Sequence, residues 1–293
     1  MLKAINTKIL LSAVTVLAAT ALVIGGTFAF FSDTETSRGN VLAAGAIDLK
    51  IDNESYVTDP ETGKLVFSEG TSWSLRDLTI EKFFDFEDLK PGDIGEDTIS
   101  IHVDSNDAWL CAAARVTEDS DVDYTEPELE DDTTQNLVNP LLGNGELAEN
   151  LNFAFWADDG DNVLEDGEEE GIFFEGSISA LGERGQIALA DFTGNVWGDT
   201  GPLPGGSDRF IGKAWCFGTL TPAPLGEDNG TPIERGTGFN CSGAGDANNA
   251  AQTDRVMGDL QFYAVQSRNN ATFTCERNYT PAWPTPTQAP LPE

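Results

Sequence analysis

Histidine and basic residues are scarce in this chain, and their scarcity excludes whole classes of function. Only 16 Lys and Arg stand against 50 Asp and Glu, a formal net charge of -34 over 293 residues. A surface of that sign repels nucleic-acid phosphates and anionic lipid headgroups, so nucleic-acid binding is set aside. It suits a particle that stays soluble or recruits cations. The one histidine is His102, so a His-Glu-x-x-His zinc constellation with its general base is absent. A Ser-His-Asp triad would have to run through that single ring, with no Gly-x-Ser-x-Gly turn to present the serine. His102 itself alternates outward on an expected strand, beside Asp104, and reads as a surface or inter-strand residue. No Gly-x-x-x-x-Gly-Lys-Ser/Thr loop cradles a phosphate, and no pair of carboxylates is set apart for glycosidase chemistry. The expectation is a protein without an active site.

Sustained helical periodicity is also missing, apart from one apolar run near the start. Lys3 and Lys8 precede Ile9 to Phe31, interrupted only by small or hydroxylated residues such as Ser12, Thr20 and Gly25. A charged start, an apolar centre and the small-residue exit Thr27-Phe28-Ala29 describe a secretory signal peptide cleaved between Ala29 and Phe30. Left uncleaved, the same run is about long enough to anchor the chain in a bilayer. The membrane and a signal peptidase enter only through this segment, and the mature protein is expected outside the cell or on its surface.

Cysteine is sparse: Cys111, Cys216, Cys241 and Cys275 all follow the export segment, and no two have the Cys-x-x-Cys spacing of a metal or redox site. In an oxidising compartment they are expected as two disulfides. Three pairings are open, with Cys111–Cys275 and Cys216–Cys241 favoured.

What is present is alternation. Ile47, Leu49 and Ile51 alternate with charged residues, and Ile99, Ile101 and Val103 repeat the pattern; period two is the mark of a strand with one wet face. Further strands are expected at 110–116, 151–157, 172–177, 187–189, 209–220, 259–265 and 271–275, separated by turn clusters of Gly, Asp, Asn and Pro. The fold class is all-β, a jelly-roll-like sandwich. Two excursions interrupt it. Thr117 to Asp132 carries nine carboxylates and no base, so it is expected to be solvated and mobile. Thr221 to Asp254 is rich in Gly, Asn and Pro. Residues 279–293, with five prolines, read as an extended tail. The domain plan is therefore 1–29 signal peptide, 30–45 N-terminal segment, 46–278 sandwich and 279–293 tail.

One acidic loop has the composition of a cation site. Asp158, Asp159, Asp161, Asn162, Asp166 and Glu168 offer oxygens on a turn of the kind calcium requires. The spacing departs from the EF-hand, because Val163 or Leu164 falls where the sharp-turn glycine should stand. A plain acidic hairpin and a structural calcium site are both open; no other cofactor is called for. Asn53, Asn229, Asn240, Asn270 and Asn278 each begin an Asn-x-Ser/Thr triplet.

The stretch from Thr27 to Lys50 resembles the export-and-start region of the TasA/camelysin family, whose members include biofilm-matrix fibre proteins. Phe31, Ser32, Asp33, Asn40, Val41, Leu42, Ala44, Gly45, Asp48 and Leu49 carry the likeness. The turn Asp88-Leu89-Lys90-Pro91-Gly92-Asp93 leading into an alternating strand is similar to a second family feature. The resemblance implies a jelly-roll subunit of extracellular fibres that homopolymerises by donor-strand exchange. Phe30 and Phe31 would anchor the donor strand, and Val41 and Leu42 would lie near its hinge. A monomeric surface adhesin or calcium-binding module is the alternative. The metallopeptidase activity described for camelysin relatives is the remaining option, against which the lone histidine stands.

Overall fold

A computed structural model describes residues 47–104, 106–132, 145–243 and 249–283. The signal segment, its cleavage point after Ala29, and Phe30, Phe31, Val41 and Leu42 lie outside the described residues, as does the tail from residue 284 onward. The chain divides into two units, Met1–Ala44 and Gly45–Glu293, and the fold below is that of the second.

Thirteen strands form among the described residues: β1 Leu49–Thr58, β2 Leu65–Phe67, β3 Trp73–Arg76, β4 Ile94–Val103, β5 Ala108–Asp121, β6 Leu151–Asp158, β7 Ile172–Ser177, β8 Gln186–Asp191, β9 Gly194–Asn195, β10 Ser207–Phe217, β11 Thr219–Pro222, β12 Phe239–Ser242 and β13 Asp254–Gln266. A large sheet runs β2-β1-β4-β10-β6-β7, with β3 also on β1; a second sheet runs β13-β5-β8-β9; β11 and β12 form a small pair. The chain shuttles between the two main sheets at β4 to β5, β5 to β6, β7 to β8 and β9 to β10, then passes from the small pair into β13, and all pairings within the main sheets are antiparallel. This is an all-β sandwich of jelly-roll character.

The alternating sequence decides which face of each strand is dry. Ile51 of β1, Ile99, Ile101 and Val103 of β4, Phe153 and Phe155 of β6, and Ile211, Trp215 and Phe217 of β10 point inward. They meet Leu110, Ala112 and Ala114 of β5, Ile187 and Leu189 of β8, and Leu260 and Phe262 of β13. Burying each large apolar side chain is worth about 1.5–3 kcal/mol, and the shared core joins the two sheets. Two tryptophans lie flat across the bare backbone of a neighbouring strand. Gly212 is the register partner of Trp156 and Gly95 of Trp215, and a Cβ on either glycine would fall 2.0 Å and 2.3 Å from the respective indole.

The core also holds a charge pair that the apolar pattern conceals. Lys213 and Asp97, register partners on β10 and β4, are 2.8 Å apart with side chains 1% and 0% exposed. Asn53 donates to Asp97 Oδ1 at 3.1 Å, and Lys213 donates to the Phe83 carbonyl at 2.7 Å. The segment between β3 and β4 supplies that carbonyl and packs three aromatics into the sandwich. Phe83 meets Trp73, Phe84 meets Phe153, and Phe86 stacks on Trp215 at 4.9 Å. Burial of Asn53, 3% exposed, removes the first of the five glycosylation triplets from the surface.

Three expectations need correction. Residues 117–121 are not solvated coil: they extend β5 against β13, and Asp121 is fully buried along with Glu128 of the helical turn Glu126–Asp131. Residues 271–275 form no strand. Instead Phe273 and Cys275 fold down onto the outer face of β5, where Trp109, Cys111 and Ala113 wait, and the chain turns into the helix Cys275–Asn278. Nor is the tail free at its start, since Tyr279 stacks on Tyr263 at 4.6 Å and Arg115 lies 4.7 Å over the Trp283 ring. The cysteines are joined as Cys111–Cys275, which fastens that docked segment to β5, and as Cys216–Cys241, which ties the excursion between β11 and β13 to β10.

Candidate functional site

The acidic loop after β6 lies on the outer face of the large sheet, held there by apolar residues at its middle. Val163 and Leu164 are fully buried, with Leu164 packed beside Trp156 and Phe239. These two residues, which break the EF-hand pattern in sequence, are the loop's anchor. The turn is completed by Asn162, at φ +68°, a left-handed conformation that Asn tolerates better than most residues.

With its middle pinned, the loop's six oxygen-bearing residues separate. Asp158, Asp159 and Glu168 converge, their ligand oxygens lying within 4.8 Å of one another. Asp158 accepts from Thr98 Oγ1 at 2.8 Å and Trp156 Nε1 at 3.1 Å, while Glu168 accepts from the backbone amides of Asp159 and Glu165, each at 3.0 Å. Burial raises Asp158 to about 7 and Glu168 to about 8, with neighbouring carboxylates adding to both. Asn162 faces inward and accepts from the Thr98 amide at 2.9 Å. Asp161 turns to Arg235, 2.9 Å away; burial raises it to about 6 despite that partner. Asp166 stands outside the convergent group, its amide bonded to the Leu225 carbonyl.

Two contributors were not visible as neighbours in sequence. Arg235, from the helical turn Pro232–Arg235, bridges Asp161 and Glu165. Although burial acts to raise Glu165, this guanidinium holds it below the usual carboxylate range. Glu96 of β4 is fully buried with no hydrogen-bond partner on either oxygen. Burial first, and then Asp158 and Asp97, push its carboxyl well above the ordinary value. Only its place on β4, an outward position in an otherwise apolar alternation, could have drawn attention to it.

His102 is sandwiched between carboxylates of the two neighbouring strands, Nε2 at 3.2 Å from Asp52 and Nδ1 at 2.6 Å from Asp208. A catalytic zinc needs three protein ligands aimed at one point and an open fourth position. Here both ring nitrogens are engaged on opposite sides, no second histidine exists in the sequence, and both cysteine pairs are oxidised. The residues present do not fit a zinc-peptidase centre.

The described residues thus define a β-sandwich, stapled by two disulfides and bearing buried acidic clusters. Residues 4–59 match the family model described as camelysin metallo-endopeptidase. The N-terminal part of the chain is thus similar to that family, and residues from 60 onward lie outside the match. Comparison with curated proteins finds no match.

Proposed function

We propose that this chain is a secreted structural subunit of extracellular fibres or biofilm matrix, polymerising by insertion of its N-terminal segment into the sheet of a neighbouring copy, and that it is not a peptidase. The observation that carries the proposal is the edge of the second sheet. β13 is 13 residues long, and among the described residues it pairs with β5 alone and its other edge makes no backbone hydrogen bond. A long unpaired edge is a template for strand addition. Leu260, Phe262 and Ala264 of β13 are only partly buried against the core, so an added strand could cover apolar area as well as satisfy amides. At the opposite end of that sheet β9 has two residues, too short to serve. The family match over residues 4–59 supports the identity of the incoming strand, with Phe30 and Phe31 as anchors and Val41 and Leu42 near the hinge.

The same reading gives the loop after β6 a structural calcium, held by Asp158, Asp159 and Glu168, and leaves the fibre without nucleic-acid or membrane partners once the signal peptide is removed. Deleting residues 30–39 from the mature chain tests the proposal. Negative-stain images should show filaments for the intact chain and monomers for the deletion. Filaments unchanged by the deletion, or a monomeric intact chain, overturn it in favour of a surface adhesin. Hydrolysis of casein that a chelator abolishes would overturn the non-enzymatic part.

A further inference from the structure

A second acidic cluster, distant in sequence from the loop after β6, lies where β5 ends and β13 begins. Asp121 and Asp254 are register partners across these strands, a juxtaposition of like charges that destabilises a sheet unless something compensates it. The helical turn Glu126–Asp131 brings Glu128 to the same place, fixed by a capping box in which its side chain accepts from the Thr125 amide at 2.9 Å. Ligand oxygens of Asp121, Glu128 and Asp254 lie within 4.8 Å of one another, and Asp121 forms a second such group with Asp132 and Glu146.

The cluster is built, yet its charge is unanswered. Asp254 Oδ2 accepts from the Glu146 and Leu147 amides at 2.6 Å and 3.0 Å, and Thr253 Oγ1 lies 3.1 Å from both oxygens of Glu128. Those bonds orient the two side chains and leave Asp254 Oδ1 without a donor. The decisive observation is Asp121, whose side chain belongs to a residue 0% exposed and whose two oxygens accept from no amide, hydroxyl or base, the one side-chain partner within reach being the Asp254 carboxyl of the same cluster. Among the described residues, no Lys, Arg or His forms an ion pair with Asp121, Glu128 or Asp254. A buried carboxylate persists only when paired, protonated or bound to metal.

We infer that Asp121, Glu128 and Asp254, with Asp132 and Glu146 beside them, bind a hard divalent cation, calcium. The donor set is all oxygen, without imidazole or thiolate, which disfavours zinc and copper. Several carboxylates contributed by four separate chain segments suit calcium's six to eight flexible ligands better than magnesium's rigid octahedron. The ion would fasten the end of the β5–β13 strand pair to the helical turn and to the turn before β6. The site is independent of the fibre reading and of the loop after β6.

The test is calorimetric titration of the purified exported chain with calcium chloride, after chelation, alongside Asp121→Asn, Asp254→Asn and Glu168→Gln. Asp121→Asn and Asp254→Asn should each lose one calcium equivalent and most of the calcium-dependent rise in Tm, whereas Glu168→Gln should keep that equivalent. Glu128→Gln preserves the capping box and carries the same expectation should an aspartate variant fail to fold. A wild-type chain that binds no calcium, with carboxyls sharing protons instead, overturns the inference. So does a full calcium complement retained by the Asp121, Asp254 and Glu128 variants.

Discussion

The two acidic regions of this protein have similar composition, but a base reaches only one of them. In the loop after β6, Arg235 arrives from the following excursion to bridge Asp161 and Glu165. At the end of β5 and start of β13, no described base answers Asp121, Glu128 or Asp254. Both regions are buried well beyond what carboxylates tolerate alone, so the difference shows that acid content does not determine solvation. What decides is whether a base from elsewhere in the chain reaches the cluster. The inter-strand pair Asp97–Lys213 is the extreme matched case, and Asp121 the extreme unmatched one.

Substitutions can sharpen this contrast, because removing one charge should act with opposite sign in the two settings. The largest loss is expected for Lys213→Met, which leaves Asp97 buried without its cation. Breaking such a pair costs about 3–5 kcal/mol, read as a drop in chemical-denaturation midpoint. Arg235→Met should destabilise next, by about 2–4 kcal/mol, measured the same way in chelator. Asp121→Asn, also in chelator, should stabilise by about 1–2 kcal/mol, since an amide of the same shape removes a charge that no base answers. A loss of stability there would erase the distinction between the two regions.

A titration gives the broadest effect. Burial raises Asp158 to about 7 and Glu168 and Asp254 to about 8, whereas the unfolded chain titrates these groups near about 4. The folded state therefore holds protons that the unfolded state has released. Stability from these groups is complete below the unfolded values and lost as pH rises through about 7 to 8. In chelator, Tm should fall between about pH 5 and 8.5, and calcium should flatten the slope. A Tm that climbs with pH over that range would contradict the assignment.

The strands were largely legible because their alternation is local: Ile99, Ile101 and Val103 mark β4 as plainly in sequence as in space. The short strands β2, β3, β9 and β12 were not, since two to four residues held by a neighbour need no pattern of their own. Within the candidate loop, the acidic residues were readable. Their division was not, because Arg235 and Glu96 reach it only through tertiary contacts. The cluster at Asp121 was misread as a solvated run for the same reason: its partner Asp254 lies on another strand, and like-charge repulsion along the sequence pointed outward. The lysine in the core went unnoticed because a charged residue in an apolar alternation looks like a strand's wet face.

The central claim is that an incoming strand pairs with the edge of β13 that faces away from β5. Amide hydrogen exchange, compared residue by residue between monomer and filament, tests it most directly. The account predicts that amides of Asp254–Gln266 facing away from β5 exchange in the monomer and become protected on assembly, while those of β9 do not change. Filaments in which that edge exchanges as freely as in the monomer would contradict it.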